Sequence, residues 1–567
     1  MRILLITSAF NSLSQRIHAE LRARGHHLGV ELALDDDQLR AGVTRFAPDL
    51  IIAPMLTTAI PSDIWTTHPV LIVHPGPKGD RGPSSLDWAI STGAREWGVT
   101  VLQAEAEMDA GPIWASVPFP VTACGKSELY RNEVSDAAVE AVLLSVERFA
   151  SGTYEPESLD YTRPDVRGCL RPYYSQDRRR IDWSADTTAD ILRTLRAADS
   201  QPGVLDELFG TQYFLHGGHN EDQLRGDPGA VIATREGAIC RATVDGAVWL
   251  THLRARRTAG GPRPFKQAAA EVLRDNMIDV PEVPITPSAA ASRDTWSQVR
   301  YRERDGVGFL EFSFAGGAMS TQQCEQLLAA YRDACARSVS VLVLGSPRDF
   351  FSNGIHLDVI ESAPDPALES LRNISAMNNL VEAILTTTDT FVIAALAGNA
   401  AAGGVMLALA ADEVWCREAS VLNPHYELMG LYGSEYWTYS LPRRVGAATA
   451  TRLTSEPLPL GARSAAALGL IDRVIAGDPE GFRARVCRDA GLLARDPDLT
   501  TRLVEKKRRL AADEAVKPLA TYRAEEMAHM LENFFADNSE YHGLRTAFVH
   551  RERPNATPPH LLGDPPH

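Results

Sequence analysis

Three places in this chain carry side chains or turns whose types and spacing can do chemistry. The first is Ile72-Val73-His74-Pro75-Gly76-Pro77, at the carboxyl end of an apolar run, followed by Arg81-Gly82, Gly98-Val99-Thr100 and Asp109-Ala110-Gly111. A histidine and an aspartate brought together at a strand end can form an acid/base pair, the carboxylate fixing the imidazole tautomer and favouring its protonated form. Taken alone, His74 reads better as a structural histidine held by a backbone carbonyl. The second place is a pair of turns, Phe350 through Leu357 and Gly398 through Gly404. Two such turns can each aim a backbone N–H at a thioester oxygen, the second with help from a helix dipole. By itself a Gly-Gly turn is a tight strand-to-helix connection. The third is the aromatic stretch Pro424 to Trp437, with His425, Tyr426 and Glu435 among its protonatable groups. Desolvation there raises a carboxyl pKa and suits Glu435 to proton transfer near pH 7. The other reading is a surface Glu435 beside aromatics that merely pack.

These groups need elements to hold them. Arg2–Thr7, Asp49–Met55, Val70–His74 and Gly98–Ala104 read as buried strands separated by helical segments, the pattern of a doubly wound parallel sheet. No G-x-G-x-x-G follows the first strand, so a dinucleotide cofactor is not indicated. The runs 230–234, 238–244 and 248–253 predict a small OB-like or α+β module. The Pro-rich segment from Val280 to Ser288 predicts a linker. Strands then restart at Gly308–Phe314, Val339–Leu344 and Val392–Ala397, and 501–548 reads as helical. Phe391 to Ala411 is long and apolar, yet its glycines favour a buried strand, a turn and a helix over a membrane span. The expected division is 1–165, 166–275, a linker at 276–299, and 300–567.

With 567 residues, 44% hydrophobic and 23% charged, the chain is an ordinary multidomain globular protein; general disorder and fibrous repeats are excluded. A net charge of −16 disfavours nucleic acid as the main partner. The seven cysteines stand singly, against a zinc ribbon or a disulfide framework, and no metal site is expected. The N-terminus lacks a signal pattern, so a cytoplasmic protein with no membrane partner is expected.

The order His74, Arg81-Gly82, Gly98-Val99-Thr100, Asp109-Ala110-Gly111 resembles the N10-formyltetrahydrofolate-dependent formyltransferases over roughly residues 1–165. Arg180-Ile181-Asp182-Trp183-Ser184 is similar to a run in that family's C-terminal domain. The resemblance implies a formyltransferase-like α/β domain that binds N10-formyltetrahydrofolate, with His74 and Asp109 as catalytic groups and the pterin on the backbone of Met55, Leu56 and Thr57. In a globally negative chain, Arg81 is the first local donor to consider for an anionic ligand. The family's asparagine, which polarises the formyl oxygen, falls on Ile72. Losing one such donor costs on the order of 10²–10³ in rate, so ordinary formyl transfer to an amine is not expected.

Residues 300–560 resemble the enoyl-CoA hydratase/isomerase (crotonase) family, which implies a ββα-spiral domain and coenzyme A as ligand. By position, the oxyanion N–H groups fall on Ile355 and Gly404, with Gly354 and Gly403 in the thioester-binding turns. His356 stands where the family has an aspartate. The hydratase glutamates fall on Met406 and near His425, so water addition is not expected, and His425, Tyr426 and Glu435 are the candidate bases. The two halves in this order resemble the HypX (HoxX) family of hydrogenase-maturation proteins. That resemblance implies N10-formyltetrahydrofolate as the source of carbon monoxide for [NiFe]-hydrogenase, with other maturation factors or the hydrogenase large subunit as partners. The residues permit formyl transfer from folate to CoA followed by decarbonylation of formyl-CoA as the route. Two rivals are a formyl-folate hydrolase or formyltransferase with a non-catalytic CoA-binding half, and a non-enzymatic assembly scaffold.

Overall fold

The computed structural model describes residues 1–564. The chain forms two compact units, one built from 1–232, 240–256 and the tail from Arg553, the other from 233–239 and 257–552.

The first unit opens with strands β1 (Arg2–Thr7), β2 (His27–Leu32), β3 (Leu50–Met55), β4 (Val70–His74), β5 (Glu96–Gln103) and β6 (Ile113–Pro120), ordered β2-β1-β3-β4-β5-β6. Their Ile, Leu and Val runs are buried on both faces, as helix-covered strands require. The α/β class expected from the sequence holds, but the sheet is mixed. β1 to β4 are parallel, whereas β5 runs antiparallel to β4 and β6 antiparallel to β5. After His74 the chain makes an irregular loop and one seven-residue helix, Ser85–Ser91, too short to carry it back along the sheet for a parallel return. The antiparallel pairing sets Thr100 opposite His74, and the Thr100 hydroxyl donates to the Gly76 carbonyl at 2.8 Å.

Beyond it, Val204–Leu208, Thr211–Glu221 and Ala247–Ala255 pair antiparallel beside the helix Thr188–Ala198. The first two of these strands lie outside the runs expected from the sequence, and the third contains the run 248–253. The tail from Arg553 also belongs to this unit: Thr557 accepts from Leu32 N at 2.9 Å and donates to the buried Glu31.

In the second unit six strands, Val299–Arg304, Val307–Phe312, Val341–Gly345, Phe391–Leu396, Glu413–Arg417 and Arg473–Ile475, lie in that order, the first pair antiparallel and the rest parallel. Alternate residues separate two cores. Leu310, Phe312, Leu342 and Leu344 face one, with Leu327 and Leu380 from the helices Thr321–Cys335 and Pro366–Leu385. Phe309, Val343, Ile393 and Trp415 face the other, with Phe482 and Val486 from the helix Pro479–Leu493. The apolar run from Phe391 resolves into a strand, a turn and the helix Gly403–Leu409. No described helix is long and apolar enough to cross a membrane. The helical end divides into Leu499–Val516, Leu519–Phe535 and Tyr541–Val549, the first break falling at Pro518.

The segment read as a linker is folded into this second unit. The fully buried Arg235 donates to Val283 O (2.7 Å), Thr295 Oγ1 (2.7 Å) and Trp296 O (2.9 Å), and Trp296 and Ala290 are themselves buried. Substituting Arg235→Ala strands these acceptors. A loss of about 2–4 kcal/mol is expected, read as a lower urea midpoint for the transition of this unit.

Candidate active sites

In the first unit His74 ends β4 between two carboxylates. Its Nε2 lies 3.0 Å from Asp80 Oδ2, and its Nδ1 lies 3.6 Å from Asp109 Oδ2. The expected partner, Asp109, is therefore close but beyond hydrogen-bond distance, and Asp80 makes the bond. Asp80 is buried and fully engaged: Ser85 Oγ donates to Oδ2 at 2.6 Å and Arg171 Nε donates to Oδ1 at 2.9 Å. A Cβ on Gly76 would overlap both the Asp80 carboxylate and the His74 ring, so the tight loop requires glycine there. Asp109 sits in the left-handed region, φ +53°, with its carboxylate accepting from Gly82 N at 3.0 Å. The arrangement can hold an imidazole in one orientation and pass a proton at either ring nitrogen.

Ile72 packs on the apolar cluster of Leu4, Ile6, Ile51 and Ala53 and offers no donor. At the ends of β1 and β3, Met55 O accepts from Ser8 N (2.9 Å) and Thr7 Oγ1 (3.1 Å), while Thr57 N donates to Ser8 Oγ (2.9 Å). These bonds fix the backbone of Met55, Leu56 and Thr57. The Arg81 guanidinium donates to Met108 O (3.0 Å) and to the exposed Glu107 carboxylate (2.6 Å), which ties it to the segment carrying Asp109.

In the second unit the two turns run side by side. Phe351 N donates to Asn399 O and Ala401 N to Ser352 O, both at 2.9 Å, which sets Gly354 and Ile355 against Gly403 and Gly404. The glycines are sterically required. A Cβ on Gly404 would overlap Ser352 O, and one on Gly403 would overlap Glu435 Oε1. Gly404 lies in the first turn of its helix, where backbone N–H groups have no intrahelical acceptor. Such backbone N–H groups can donate to a thioester carbonyl oxygen, the helix dipole favours negative charge on that oxygen, and the Glu435 carboxyl lies against Gly403 beside them. His356 caps the helix Leu357–Ser362, its Nδ1 accepting from Val359 N at 3.4 Å; burial pushes its pKa down to about 4 and keeps it neutral. Met406 is buried in the core.

Glu435 is buried, 2% exposed, so the structure answers the question of surface or interior. Its Oε2 accepts from Tyr426 OH at 2.9 Å and from Ser434 N at 3.0 Å. Burial is the main cause that raises its pKa to about 7, against the lowering effect of these two bonds, and the carboxylate of Glu526 raises it further. Burial likewise holds the Tyr426 phenol well above its usual range, as a proton donor to Glu435. His425 is half-buried; the bonded pair is Tyr426 with Glu435. Glu435 and Tyr436 both have φ +58°, a left-handed pair costing on the order of 1–2 kcal/mol per residue. Strain of this kind persists only where surroundings impose it. Here they include Asn378, which accepts from Glu435 N at 2.8 Å, and Glu526, which accepts from Tyr436 N at 2.9 Å. Neither residue was visible as a site member in the sequence.

Comparison with known proteins joins the two sites. Residues 29–146 match the model of the formyl transferase family, 174–263 that of the formyl transferase C-terminal domain, and 315–557 that of the enoyl-CoA hydratase/isomerase family. Over 564 residues the chain is 47% identical to the hydrogenase maturation factor HoxX of Bradyrhizobium diazoefficiens, covering 99% of this chain and 97% of that protein. The chain belongs to the HypX/HoxX family of hydrogenase maturation factors. Among solved structures, HypX from Aquifex aeolicus in complex with tetrahydrofolic acid superposes with a TM-score of 0.95 at 42% identity, covering 99% of this chain and 98% of that one. A methionyl-tRNA formyltransferase of Stutzerimonas stutzeri is 29% identical over 173 residues, 30% of this chain and 53% of that enzyme. Full-length similarity thus runs to the HypX/HoxX family, while the transferase likeness is confined to part of the chain.

Proposed function

We propose that this HypX/HoxX-family chain makes carbon monoxide from N10-formyltetrahydrofolate in two steps, through formyl-CoA. The observation that carries the reading is Glu435, a buried carboxyl with a pKa near 7, set against the glycine turns that fit a thioester. In the first step the CoA thiol attacks the formyl carbon. The thiol proton leaves, the C–S bond forms, the C–N10 bond breaks and N10 takes a proton, giving tetrahydrofolate and formyl-CoA. His74, steadied by Asp80 and Asp109, is the proton carrier of this step. The likeness to a tetrahydrofolate-bound relative supports the donor.

In the second step the Ile355 and Gly404 N–H groups hold the thioester oxygen. Glu435 takes the formyl proton; the C–H pair stays on carbon as CO, and the C–S pair leaves with sulfur. Glu435 then returns the proton to the thiolate, so formyl-CoA yields CO and CoA with nothing else consumed. An ionised carboxylate is required, and a pKa near 7 leaves a useful fraction ionised at neutral pH while keeping a strong base. The family's role supports CO as a ligand for [NiFe]-hydrogenase, handed to other maturation factors or the large subunit.

The test is to supply formyl-CoA to the purified protein and follow CO by the absorbance of reduced haem. Release of CO with recovery of free CoA is expected; hydrolysis to formate with no CO contradicts the second step. Substituting Tyr426→Phe removes a donor to the working carboxylate. CO release is expected to fall roughly 10–10²-fold. Because the Tyr426 hydrogen bond lowers the Glu435 pKa, its loss also moves the rising limb of the pH–rate profile to higher pH.

A further inference from the structure

We infer that Glu526, acting through Ser434 and Tyr436, is the positioning residue that aims the Glu435 carboxylate at the glycine turns. The inference rests on the reading of Glu435 as base and adds a residue that no motif contains. Glu526 lies on the helix Leu519–Phe535 and is fully buried, and its hydrogen bonds run to uncharged groups. Its carboxylate is instead filled by donors from one turn. Oε1 accepts from Thr438 N (2.9 Å) and Thr438 Oγ1 (2.5 Å); Oε2 accepts from Tyr436 N (2.9 Å) and Ser434 Oγ (3.2 Å). Asn378 completes the clamp: its Oδ1 accepts from Glu435 N at 2.8 Å and shares the Ser434 hydroxyl proton with Glu526 at 3.1 Å, and its Nδ2 donates to Ser434 Oγ at 2.9 Å.

Burying a carboxylate among neutral donors is costly, so its retention asks for a reason. Capping the helix Trp437–Val445 accounts for the Thr438 contacts, since N–H groups there lack intrahelical acceptors. Capping does not account for the reach to Ser434, on the far side of the strained pair. The left-handed backbone at Glu435 and Tyr436 turns the Glu435 side chain back so that Oε2 meets Ser434 N and Oε1 faces Gly403. Residues 434, 436 and 438 are bound to one carboxylate, and 435, between the first two, is bound to Asn378. Without this grip the turn can relax to ordinary dihedrals, which swings Glu435 away from Gly403. The groups facing Glu435 are Tyr426 from the loop after Asn423, Cys324 from the helix Thr321–Cys335, and Glu526 itself.

The substitution Glu526→Gln keeps the shape, replaces one acceptor by an amide NH2 and removes the negative charge. With formyl-CoA as substrate, kcat for CO is expected to fall on the order of 10–10²-fold with KM within about twofold, as a misaimed base rather than lost binding requires. A second readout needs no turnover: the carboxyl C=O stretch of Glu435, assigned in the ligand-free protein by difference against Glu435→Gln, is titrated by infrared spectroscopy. Its midpoint is expected at lower pH in Glu526→Gln, because the repulsion from Glu526 is gone. An unchanged midpoint with kcat within twofold of the parent overturns the inference, as does an effect on KM alone. If the parent protein makes no CO, the proposed function fails while the position of the Glu435 C=O band, set by its bonds from Tyr426 OH and Ser434 N, still decides the role of Glu526: a displaced band supports it and a parental band contradicts it. Should Glu526→Gln not fold, Ser434→Ala cuts the same link with a smaller change. A lower kcat at constant KM and a displaced Glu435 band support the inference, and parental values for both contradict it.

Discussion

Replacing Glu435 by glutamine is expected to cut CO release from formyl-CoA by on the order of 10³-fold or more, while leaving the fold intact and more tolerant of alkaline pH. The rate effect follows from the role. Glutamine at that position still meets Ser434 N but cannot take the formyl proton, and removing a positioned base costs about 10²–10⁴-fold. The stability effect follows from burial. The carboxyl is raised from 4.5 to about 7 in the fold, so between those pH values the unfolded chain has lost a proton that the folded chain retains. Stability linked to Glu435 is therefore complete below pH 4.5 and declines as pH rises to about 7, by roughly 3 kcal/mol in all. Glutamine has no such term. The Tm of Glu435→Gln relative to the parent should climb across that window and level off above it. A variant that keeps parental CO release would remove Glu435 from the chemistry; a Tm difference constant with pH would contradict a raised carboxyl.

Replacing His74 by alanine is expected to separate the two steps. With N10-formyltetrahydrofolate and CoA, CO formation should fall on the order of 10²–10⁴-fold, because the proton carrier of the first step is gone. With formyl-CoA supplied directly, the same variant should release CO at the parental rate, since every group assigned to that step lies in the other unit. Asp80 keeps its bonds from Ser85 and Arg171, so the loop retains two of the ties that shape it. Loss of both activities would mean that His74 supports the whole fold rather than one reaction.

What the sequence revealed and what it hid divide along physical lines. His74 was legible because a histidine at the end of an apolar run is a strand-end group, and Glu435 because an acid in an aromatic stretch is a candidate for desolvation. The glycine turns were legible because only glycine permits backbones to pass so closely. The partners were not. Arg171 lies 91 residues from Asp80, Asn378 lies 57 from Glu435 and Glu526 lies 92 from Ser434, and no local pattern announces such contacts. The acceptors of Arg81 were hidden for the same reason: Met108 and Glu107 reach it through the path of the loop before Asp109. The antiparallel course of β5 was hidden too, because strand direction depends on the span of a connection, not on the strand's own residues.

The central claim, that CO forms from formyl-folate by way of CoA, is tested most directly by isotope. The purified protein is given N10-[13C]formyltetrahydrofolate with and without CoA, and the gas is trapped on ferrous haem and identified by its infrared stretch. The account predicts 13CO only when CoA is present, one for each tetrahydrofolate formed. 13C-formate in place of 13CO in the presence of CoA, or 13CO at the same rate from protein stripped of CoA, would contradict it.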